Sequence, residues 1–219
     1  MKTQIIKYLI PAILIIAVAC KQNSTQNHLA NKAPEPKAVE KDTTEHSAKN
    51  KTTESTKVEG TTWVIDETKS NVNFAVTNFG KEVHGTIGGL NGTIHFIKTK
   101  PEASHFETSL KVNSINTNNK KRDADLMHDK YFEEDKFPEI KFQSKKVSSS
   151  GNNFITTGDL TIKGITHEVQ IPFDFDEQGN TGTFSGHFTI KRNDFNIGGK
   201  GPIMGKDINI NIKAAATKK

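Results

Sequence analysis

The sequence predicts an all-β domain over residues 60–219, a closed barrel or a sandwich of eight or nine antiparallel strands. Three observations predict this class. Apolar and polar residues alternate along most of the region, as they do in strands with one buried face. Turn-forming residues separate the alternating runs. The sequence shows no recurring strand–helix–strand pattern of the kind that produces a parallel sheet. Strands that are apolar on one face and joined by short turns are typical of barrels and sandwiches.

Residues 1–19 have the pattern of a bacterial secretory signal. Lys2 and Lys7 form a short positive region, and an apolar run follows from Tyr8 to Val18. This run of about eleven residues is too short to cross a bilayer core as a helix, and it suits the core of a signal peptide. The run ends in Ala17-Val18-Ala19-Cys20, which resembles the lipobox of bacterial lipoproteins, although Leu is usual at the position of Ala17.

Cys20 is the single cysteine of the chain, which excludes an intrachain disulfide framework and a Cys-based zinc site. The lipobox resemblance implies that Cys20 is acylated and anchors the protein to a membrane of the cell envelope. The alternative is an ordinary cleaved signal followed by an incidental cysteine. Lys21-Gln22-Asn23-Ser24 contain no acidic run that would indicate surface export, so the periplasmic side is favoured.

Residues 20–59 are predicted to be the acylated cysteine and a disordered tether. Only seven of the 39 residues after Cys20 are apolar, and none of them is aromatic. That is too little apolar surface to offset the entropy of ordering the chain. A flexible segment of this length spans roughly 30–40 Å, which separates a domain from its anchor without fixing its orientation.

The charge distribution argues against nucleic-acid binding. The formal net charge is +5, but residues 1–59 hold nine lysines and six acidic residues, which leaves 21 basic and 19 acidic residues in 60–219. The folded region is therefore nearly neutral, whereas nucleic-acid binding needs a basic face on the domain.

The alternating runs predict the strands in chain order. Their inward members are Val72, Phe74 and Val76; Leu90, Ile94 and Phe96; Phe106, Thr108, Leu110 and Val112; Ile140 and Phe142; Leu160 and Ile162; Val169, Ile171, Phe173 and Phe175; Phe184, Gly186, Phe188 and Ile190; and Ile208, Ile210 and Ile212.

Turns and one helix separate these runs. Turns are predicted at Phe79-Gly80, 150–153, Lys163-Gly164 and 178–180. Between two strands, residues 120–129 are good helix formers with Leu126 and Met127 on the apolar side, and Asn118 or Asn119 is placed to cap the first turn. The sequence therefore predicts a short helix that covers one end of the β structure.

Several segments together resemble the YceI-like family of lipid- or polyisoprenoid-binding bacterial envelope proteins. The resemblance covers nearly all of 61–214 and implies a lipocalin-like, extended antiparallel barrel of about eight strands that holds a long apolar ligand. Asn78, where many members have His, and Met127-His128 depart from the pattern. The matching segments are Trp63-Val64-Ile65-Asp66, 70–76, Ser114-Ile115-Asn116-Thr117, Arg122-Asp123, Leu126, Tyr131-Phe132, 136–142, 158–164 and Arg192-Asn193-Asp194-Phe195.

Two interiors are compatible with the inward residues. Side chains fill a small barrel, or the barrel holds one ligand. The residues alone favour a packed core, whereas the family resemblance implies a cavity, for which Gly85, Gly92, Thr108 and Gly186 would leave room. The predicted lipid-binding residues are Phe74, Val76, Phe96, Leu110, Phe132, Phe142, Leu160, Phe173, Phe188 and Ile190.

Lys120, Arg122 and Asp123 are candidate headgroup or rim residues at the predicted helix. Lys120 and Arg122 would meet an anionic headgroup, and the alternatives are a solvated helix start and a structural Arg122–Asp123 pair. Calcium-loop and metalloprotease patterns each lack a required residue, so no metal site is predicted. No nucleophile elbow or phosphate loop is present in the sequence either.

The sequence thus predicts a binding protein and not an enzyme. Its ligand is an isoprenoid quinone, a polyprenyl lipid or a fatty-acid-like amphiphile, and no other cofactor is expected. The expected partners are this ligand and the membrane, without nucleic acid. The alternative is a structural or interaction lipoprotein with a filled barrel and no ligand. The oligomeric state, a dimer included, is not fixed by the sequence.

Overall fold

The computed structural model describes residues 60–219. These residues form ten strands and one α-helix, with three short 3₁₀ turns between them. The strands are β1 (Thr61–Ile65), β2 (Asn71–Asn78), β3 (Lys81–Ile87), β4 (Asn91–Phe96), β5 (His105–Lys111), β6 (Glu139–Ser150), β7 (Asn153–Ile162), β8 (Ile165–Gln178), β9 (Thr181–Lys191) and β10 (Met204–Lys218). The helix is α1 (Lys120–Met127), and the 3₁₀ turns are Pro101–Ala103, Val112–Ser114 and Arg192–Phe195.

The predicted signal peptide (1–19) and the tether with Cys20 (20–59) lie outside the described residues. Among residues 60–219, no helix is both long and apolar enough to span a bilayer.

The strands close into a barrel because β10 pairs along both edges. On one edge it pairs with β9 from Asp207 to Thr217. On the other it pairs first with β2, where Ile208 faces Val76, and then with β1, where Lys218 faces Trp63. Every pairing is antiparallel, and the order β1-β4-β5-β6-β7-β8-β9-β10 returns to β1. The predicted antiparallel barrel of about eight strands with one short helix is confirmed, and the sandwich is excluded.

Two barrel strands are interrupted, which is why ten strands make a ring of eight. β1 and β2 lie end to end along β10, and β3 and β4 follow each other beside them. At the first interruption, the Asp66 N–H donates to the Ala215 carbonyl at 2.8 Å, and the Ala215 N–H donates to Ser70 Oγ at 3.0 Å. Backbone groups that lose their strand partner are thus satisfied locally.

The interruptions divide the barrel into two halves. In one half, β4 bridges β1 and β5 in a continuous sheet. In the other half, β3 is joined to the following segment by one isolated bridge, between Thr86 and Asn116. Asn116 belongs to the connection 112–138, which joins β5 to β6 and includes α1. We call the half with the 79–80 turn, the 163–164 turn and α1 the open end, and the half with the 151–152 and 179–180 turns the closed end.

Two of the predicted turns, 79–80 and 163–164, lie in the left-handed backbone region. Phe79 and Gly80 both have positive φ, of 50° and 72°, and so do Lys163 and Gly164, of 53° and 69°. Two left-handed residues in succession form the turn that matches the twist of a two-residue hairpin. Helix α1 begins as predicted after Asn119, whose side chain accepts a hydrogen bond from the Arg122 N–H at 3.0 Å.

Candidate ligand-binding cavity

The barrel interior holds an apolar cavity. Its volume is about 180 Å³. One water molecule needs only ~10–15 Å³, so a close-packed core would leave nothing of this size. The inward side chains therefore line a space that accepts a ligand.

Nine of the ten predicted lipid-binding residues line this cavity. They come from β2, β5, β6, β7, β8, β9 and the segment after α1, so strands distant in sequence contribute to one wall. Whether they bind lipid stays a prediction. These nine residues are Phe74, Val76, Leu110, Phe132, Phe142, Leu160, Phe173, Phe188 and Ile190.

Phe96 is the exception, and its placement in the lining is corrected here. Its side chain points inward and is 3% exposed, but it is not among the residues that border the cavity. Its ring lies 5.0 Å from the ring centroids of both Phe154 and Phe175. Alternation along a strand predicts which face a residue occupies, and it carries no information on depth along the barrel axis.

An aromatic cluster around Phe96 closes the cavity at its inner end. Trp63 is 1% exposed and meets the Phe175 ring edge-to-face at 5.3 Å. Phe175 and Phe184 lie 4.5 Å apart. Edge-to-face contacts at these distances contribute beyond the burial of area. The cluster therefore forms a packed floor, and Phe106, Phe173 and Phe184 belong to both the floor and the lining.

The open end is less tightly packed. Phe74, Val76 and Leu110 border the cavity and are half-buried. Leu126 of α1 and Tyr131 complete this part of the lining and are also half-buried. Helix α1 therefore covers one side of the mouth with its apolar residues, as the sequence predicted.

The four small inward residues have different roles. Thr108 and Gly186 line the cavity. Gly85 instead makes room for a lining ring, because a Cβ there would lie 2.3 Å from Phe74 Cζ. The expectation for Gly92 is corrected, because its position faces the backbone of the neighbouring strand: a Cβ there would lie 2.1 Å from the Glu107 carbonyl oxygen.

The predicted rim residues lie around α1 but do not border the cavity. Arg122 donates to the Thr117 hydroxyl at 2.7 Å and to its carbonyl at 2.8 Å. Asp123 accepts a hydrogen bond from the Thr117 N–H at 2.9 Å. Both side chains therefore fix the start of the helix through Thr117, which is itself buried. Lys120 is exposed, and a headgroup contact remains a prediction.

Arg192 was named only as part of a motif, and its role was missed. The residue is 1% exposed, and it donates hydrogen bonds to the carbonyls of Ile197, Gly199, Gly201, Met204 and Gly205. A buried charge is costly unless it is fully hydrogen-bonded, and five acceptors around one guanidinium meet that need. Arg192 thereby fixes the loop that precedes β10.

The cavity lining holds few polar side chains in the described part of the chain. Its lining contains no carboxylate, lysine, histidine or cysteine, and no group of three or more such metal-binding residues occurs within 60–219. The shifted pKa values belong to groups outside the cavity lining. Hydrogen bonds from Thr68 and Lys69 lower the pKa of Asp66 to about 2, and hydrogen bonds to Glu133 and Asp159 raise the pKa values of Lys136 and Lys145.

Known proteins are similar to this chain in sequence and in fold. The family model for the YceI-like domain matches residues 63–216. A UPF0312 protein of Pseudomonas savastanoi pv. phaseolicola is 35% identical over 150 residues, which cover 64% of this chain and 78% of the relative. A UPF0312 protein of Pseudomonas putida is 30% identical over 156 residues, with 67% and 81% covered.

Solved structures agree with these relatives. BcnA of Burkholderia cenocepacia matches with a TM-score of 0.66 and 26% identity, over 70% of this chain and 99% of BcnA. A Campylobacter jejuni YceI protein matches with a TM-score of 0.58 and 27% identity, over 64% and 86%. A polyisoprenoid binding domain from Saccharophagus degradans, at 13% identity and a TM-score of 0.58 over 72% and 98%, shares the fold. With a family model that spans most of the barrel and a matching architecture, the chain belongs to the YceI-like family.

Proposed function

We propose that this protein binds one long-chain amphiphile, such as an isoprenoid quinone, a polyprenyl lipid or a fatty-acid-like molecule, and shields its apolar chain from water. The observation that carries the proposal is the apolar cavity inside a closed barrel. Among its lining residues, only Thr108, Ser109, Tyr131 and Thr156 carry a side-chain polar group. Such a lining recognises apolar length rather than a pattern of hydrogen bonds.

The energetics favour a chain over a compact polar molecule. Each buried CH₂ contributes ~0.8 kcal/mol, so several isoprene units supply enough free energy to offset the cost of immobilising the ligand. The fold is also suited to such a ligand, because the structurally similar domain from Saccharophagus degradans is described as polyisoprenoid binding.

The open end suits a ligand that has one polar terminus. The floor around Phe96 and Trp63 is apolar and closed, so a headgroup would lose its hydration there without gaining a partner. The mouth lies beside α1, where Lys120 and Lys121 are exposed. The chain of the amphiphile therefore enters first, and its polar terminus stays at the mouth.

The proposed mode of action is binding without catalysis. General acid–base or nucleophilic catalysis needs a titratable or nucleophilic group and a partner that activates it. The lining within residues 60–219 supplies the hydroxyl groups of Thr108, Ser109, Tyr131 and Thr156, without a carboxylate, histidine, lysine or cysteine to activate them. The competing function, an interaction protein with a filled barrel, is disfavoured by the volume of the cavity.

The proposed location is the bacterial cell envelope, on the periplasmic side, with the protein held by a lipid on Cys20. The support is the sequence alone: the apolar run 8–18 and the lipobox-like Ala17-Val18-Ala19-Cys20. A carrier of a water-insoluble chain benefits from such an anchor, because the anchor keeps the barrel near the membrane that holds the ligand.

The test is to fill the cavity. Leu110 is half-buried and borders the open part of the cavity, so Leu110→Trp should occupy ligand space with little strain. We expect organic extraction and mass spectrometry of the purified wild-type chain to yield about one amphiphile per chain, and Leu110→Trp to retain at least fivefold less. Val64→Trp on the outer face of β1, where Val64 is 39% exposed, is the matched control and should retain the wild-type amount.

Two results would contradict the proposal. One is a wild-type chain that is repeatedly empty and takes up no polyprenyl alcohol or fatty acid in excess. The other is equal retention by Leu110→Trp and Val64→Trp, which would locate the lipid outside the barrel.

A further inference from the structure

Two large apolar side chains lie side by side in water at the open end. Phe79 is 75% exposed and Ile203 is 52% exposed. The Phe79 N–H donates to the Ile203 carbonyl at 3.0 Å, so the β2–β3 turn and the loop before β10 are held together at this point. Single exposed apolar residues are common, but two adjacent ones at the entrance to a cavity form a patch.

The conformation of Phe79 makes its exposure more notable. Its φ of 50° is in the left-handed region, where a bulky side chain is unusual and where Asn or Gly is the usual residue of such a turn. The ring also packs against little protein, because most of its surface is exposed. Neither turn formation nor core packing therefore accounts for a phenylalanine here.

The loop that carries Ile203 is fixed as well. Arg192 donates to the carbonyl of Met204 at 3.0 Å and to that of Gly205 at 2.8 Å. It also donates to the carbonyl of Gly201 at 3.2 Å, on the other side of Ile203. A buried guanidinium thus clamps the backbone on both sides of an exposed isoleucine. The side chain is held outward by the fold.

The patch is continuous with the mouth of the cavity. Met204, directly after Ile203, and Val76, three residues before Phe79, both line the cavity. An apolar chain that leaves the cavity past these two residues therefore emerges beside the exposed pair.

The charges around the patch are mixed, with a small basic excess. Lys81, Glu82, Lys200 and Lys206 are exposed within three residues of Phe79 or Ile203, and the exposed Asp207 lies four residues from Ile203. Glu82 forms an ion pair with His84 at 3.2 Å only when that histidine is protonated. Three lysines against two carboxylates favour an anionic surface weakly and repel neither anionic nor neutral lipid.

We propose that the open end docks on a lipid bilayer, with Phe79 and Ile203 inserted at the interface, and that the ligand passes between bilayer and cavity at this point. The inference rests on the proposed function, because a long apolar chain reaches a protein through water only with difficulty. Aromatic and aliphatic side chains beside lysines are suited to the interfacial region of a membrane. Docking the mouth removes the aqueous gap that the chain would otherwise cross.

The first experiment places a fluorescent side chain in the patch of the full chain. Phe79→Trp adds an indole at the open end, while the native Trp63 is 1% exposed at the closed end and gives a constant background. Vesicles of phosphatidylethanolamine and phosphatidylglycerol that contain brominated phosphatidylcholine should shift the added emission to the blue and quench it. We expect quenching at least threefold stronger than in the matched control Val64→Trp, whose added indole lies on the outer face of β1.

Equal quenching in both variants, or none in either, would overturn the inference. A blue shift that appears without vesicles and grows with protein concentration would also overturn it, because a second copy of the chain would then cover the patch.

A second measurement separates this inference from the proposed function. The double variant Phe79→Ser/Ile203→Ser should take up a polyprenyl alcohol from the same vesicles about tenfold more slowly, while its final occupancy equals that of the wild type. An unchanged rate with normal occupancy defeats docking and leaves binding in place. Zero occupancy in the wild type defeats the proposed function instead.

Discussion

The two ends of the barrel are built from the same kind of strand and have different interiors. At the closed end, Trp63, Phe96 and Phe154 belong to one aromatic cluster and are at most 6% exposed. At the open end, Phe74 and Leu110 follow the same alternation but remain half-buried beside a cavity. The two ends differ in how the strands complete the barrel wall. Where β4 bridges β1 and β5, the ring of strands is complete, and where β3 ends its pairing at a single bridge, α1 lies beside the gap instead.

One apolar interior is therefore packed at one end and open at the other, where we propose that the ligand binds. The closed end supplies stability, since aromatic rings in contact contribute dispersion and buried area. The open end keeps apolar surface unpaired and available to a ligand. Truncation of a phenylalanine should therefore lower mainly the stability at the closed end and mainly the amount of retained lipid at the open end.

The largest effect is expected from Phe96→Ala at the closed end. The Phe96 ring has neighbours in Phe106, Phe154, Phe173, Phe175 and Phe184. Loss of a tightly packed phenylalanine costs ~3–5 kcal/mol, which includes the cavity that remains. Urea denaturation of the variant and the wild type measures this loss. The lipid retained per folded molecule should not change.

The matched change at the open end is Phe74→Ala. Because its ring is half-buried and already borders empty space, we expect a loss of about 1 kcal/mol, near the centre of the usual range for substitutions. Retained lipid should instead fall severalfold. Should Phe74→Ala destabilise as much as Phe96→Ala without any change in lipid content, the open end is ordinary core and the comparison fails.

The smallest effect is expected at Asp66, in the interruption that joins the two halves. Its carboxylate accepts hydrogen bonds from the Thr68 hydroxyl at 2.6 Å and the Thr68 N–H at 3.0 Å, with Lys69 Nζ also 3.0 Å away. These contacts lower the pKa of Asp66 from 3.8 to about 2. A carboxyl group whose pKa is lower in the folded state than in the unfolded state stabilises the protein at pH values above its unfolded pKa. This stabilisation is lost as the pH falls through the folded pKa.

Asp66→Asn should therefore reduce stability slightly at neutral pH and by less near pH 2. Because the group is exposed, the effect is small and screened by salt. The check is the difference in urea midpoint between the wild type and Asp66→Asn at neutral pH and near pH 2. A difference that stays constant would show that the carboxylate does not stabilise the joint.

The sequence predicted the strands and turns because their determinants are local, whereas the choice of a barrel over a sandwich came from the family resemblance. Alternation in β7 places Phe154, Leu160 and Ile162 on the buried face, and the Lys163-Gly164 pair adopts the turn that its residues favour. Nine of the ten residues that are predicted to bind lipid border the cavity for the same reason. Phe96 does not border it, because the boundary between floor and cavity depends on which strands meet across the barrel.

The features that were missed depend on distant contacts. The role of Arg192 follows from carbonyls up to 13 residues away along the chain, and no local pattern indicates that a guanidinium is buried among them. The exposure of Phe79 was likewise hidden, because the sequence shows a turn there but not the loop that Ile203 brings beside it. Both features lie at the open end, which is the end that we propose to admit the ligand, and both depend on tertiary structure.

The most direct test of the division between floor and cavity is a nuclear magnetic resonance titration of the full chain with ring-labelled phenylalanine. A long polyprenyl alcohol is added until the spectrum no longer changes. The account predicts large shifts for Phe74, Phe142 and Phe188, which line the cavity, and little change for Phe96 in the floor. Shifts confined to the exposed Phe79, or equal shifts at Phe96 and Phe74, would contradict the claim that a ligand enters at the open end and stops at the aromatic floor.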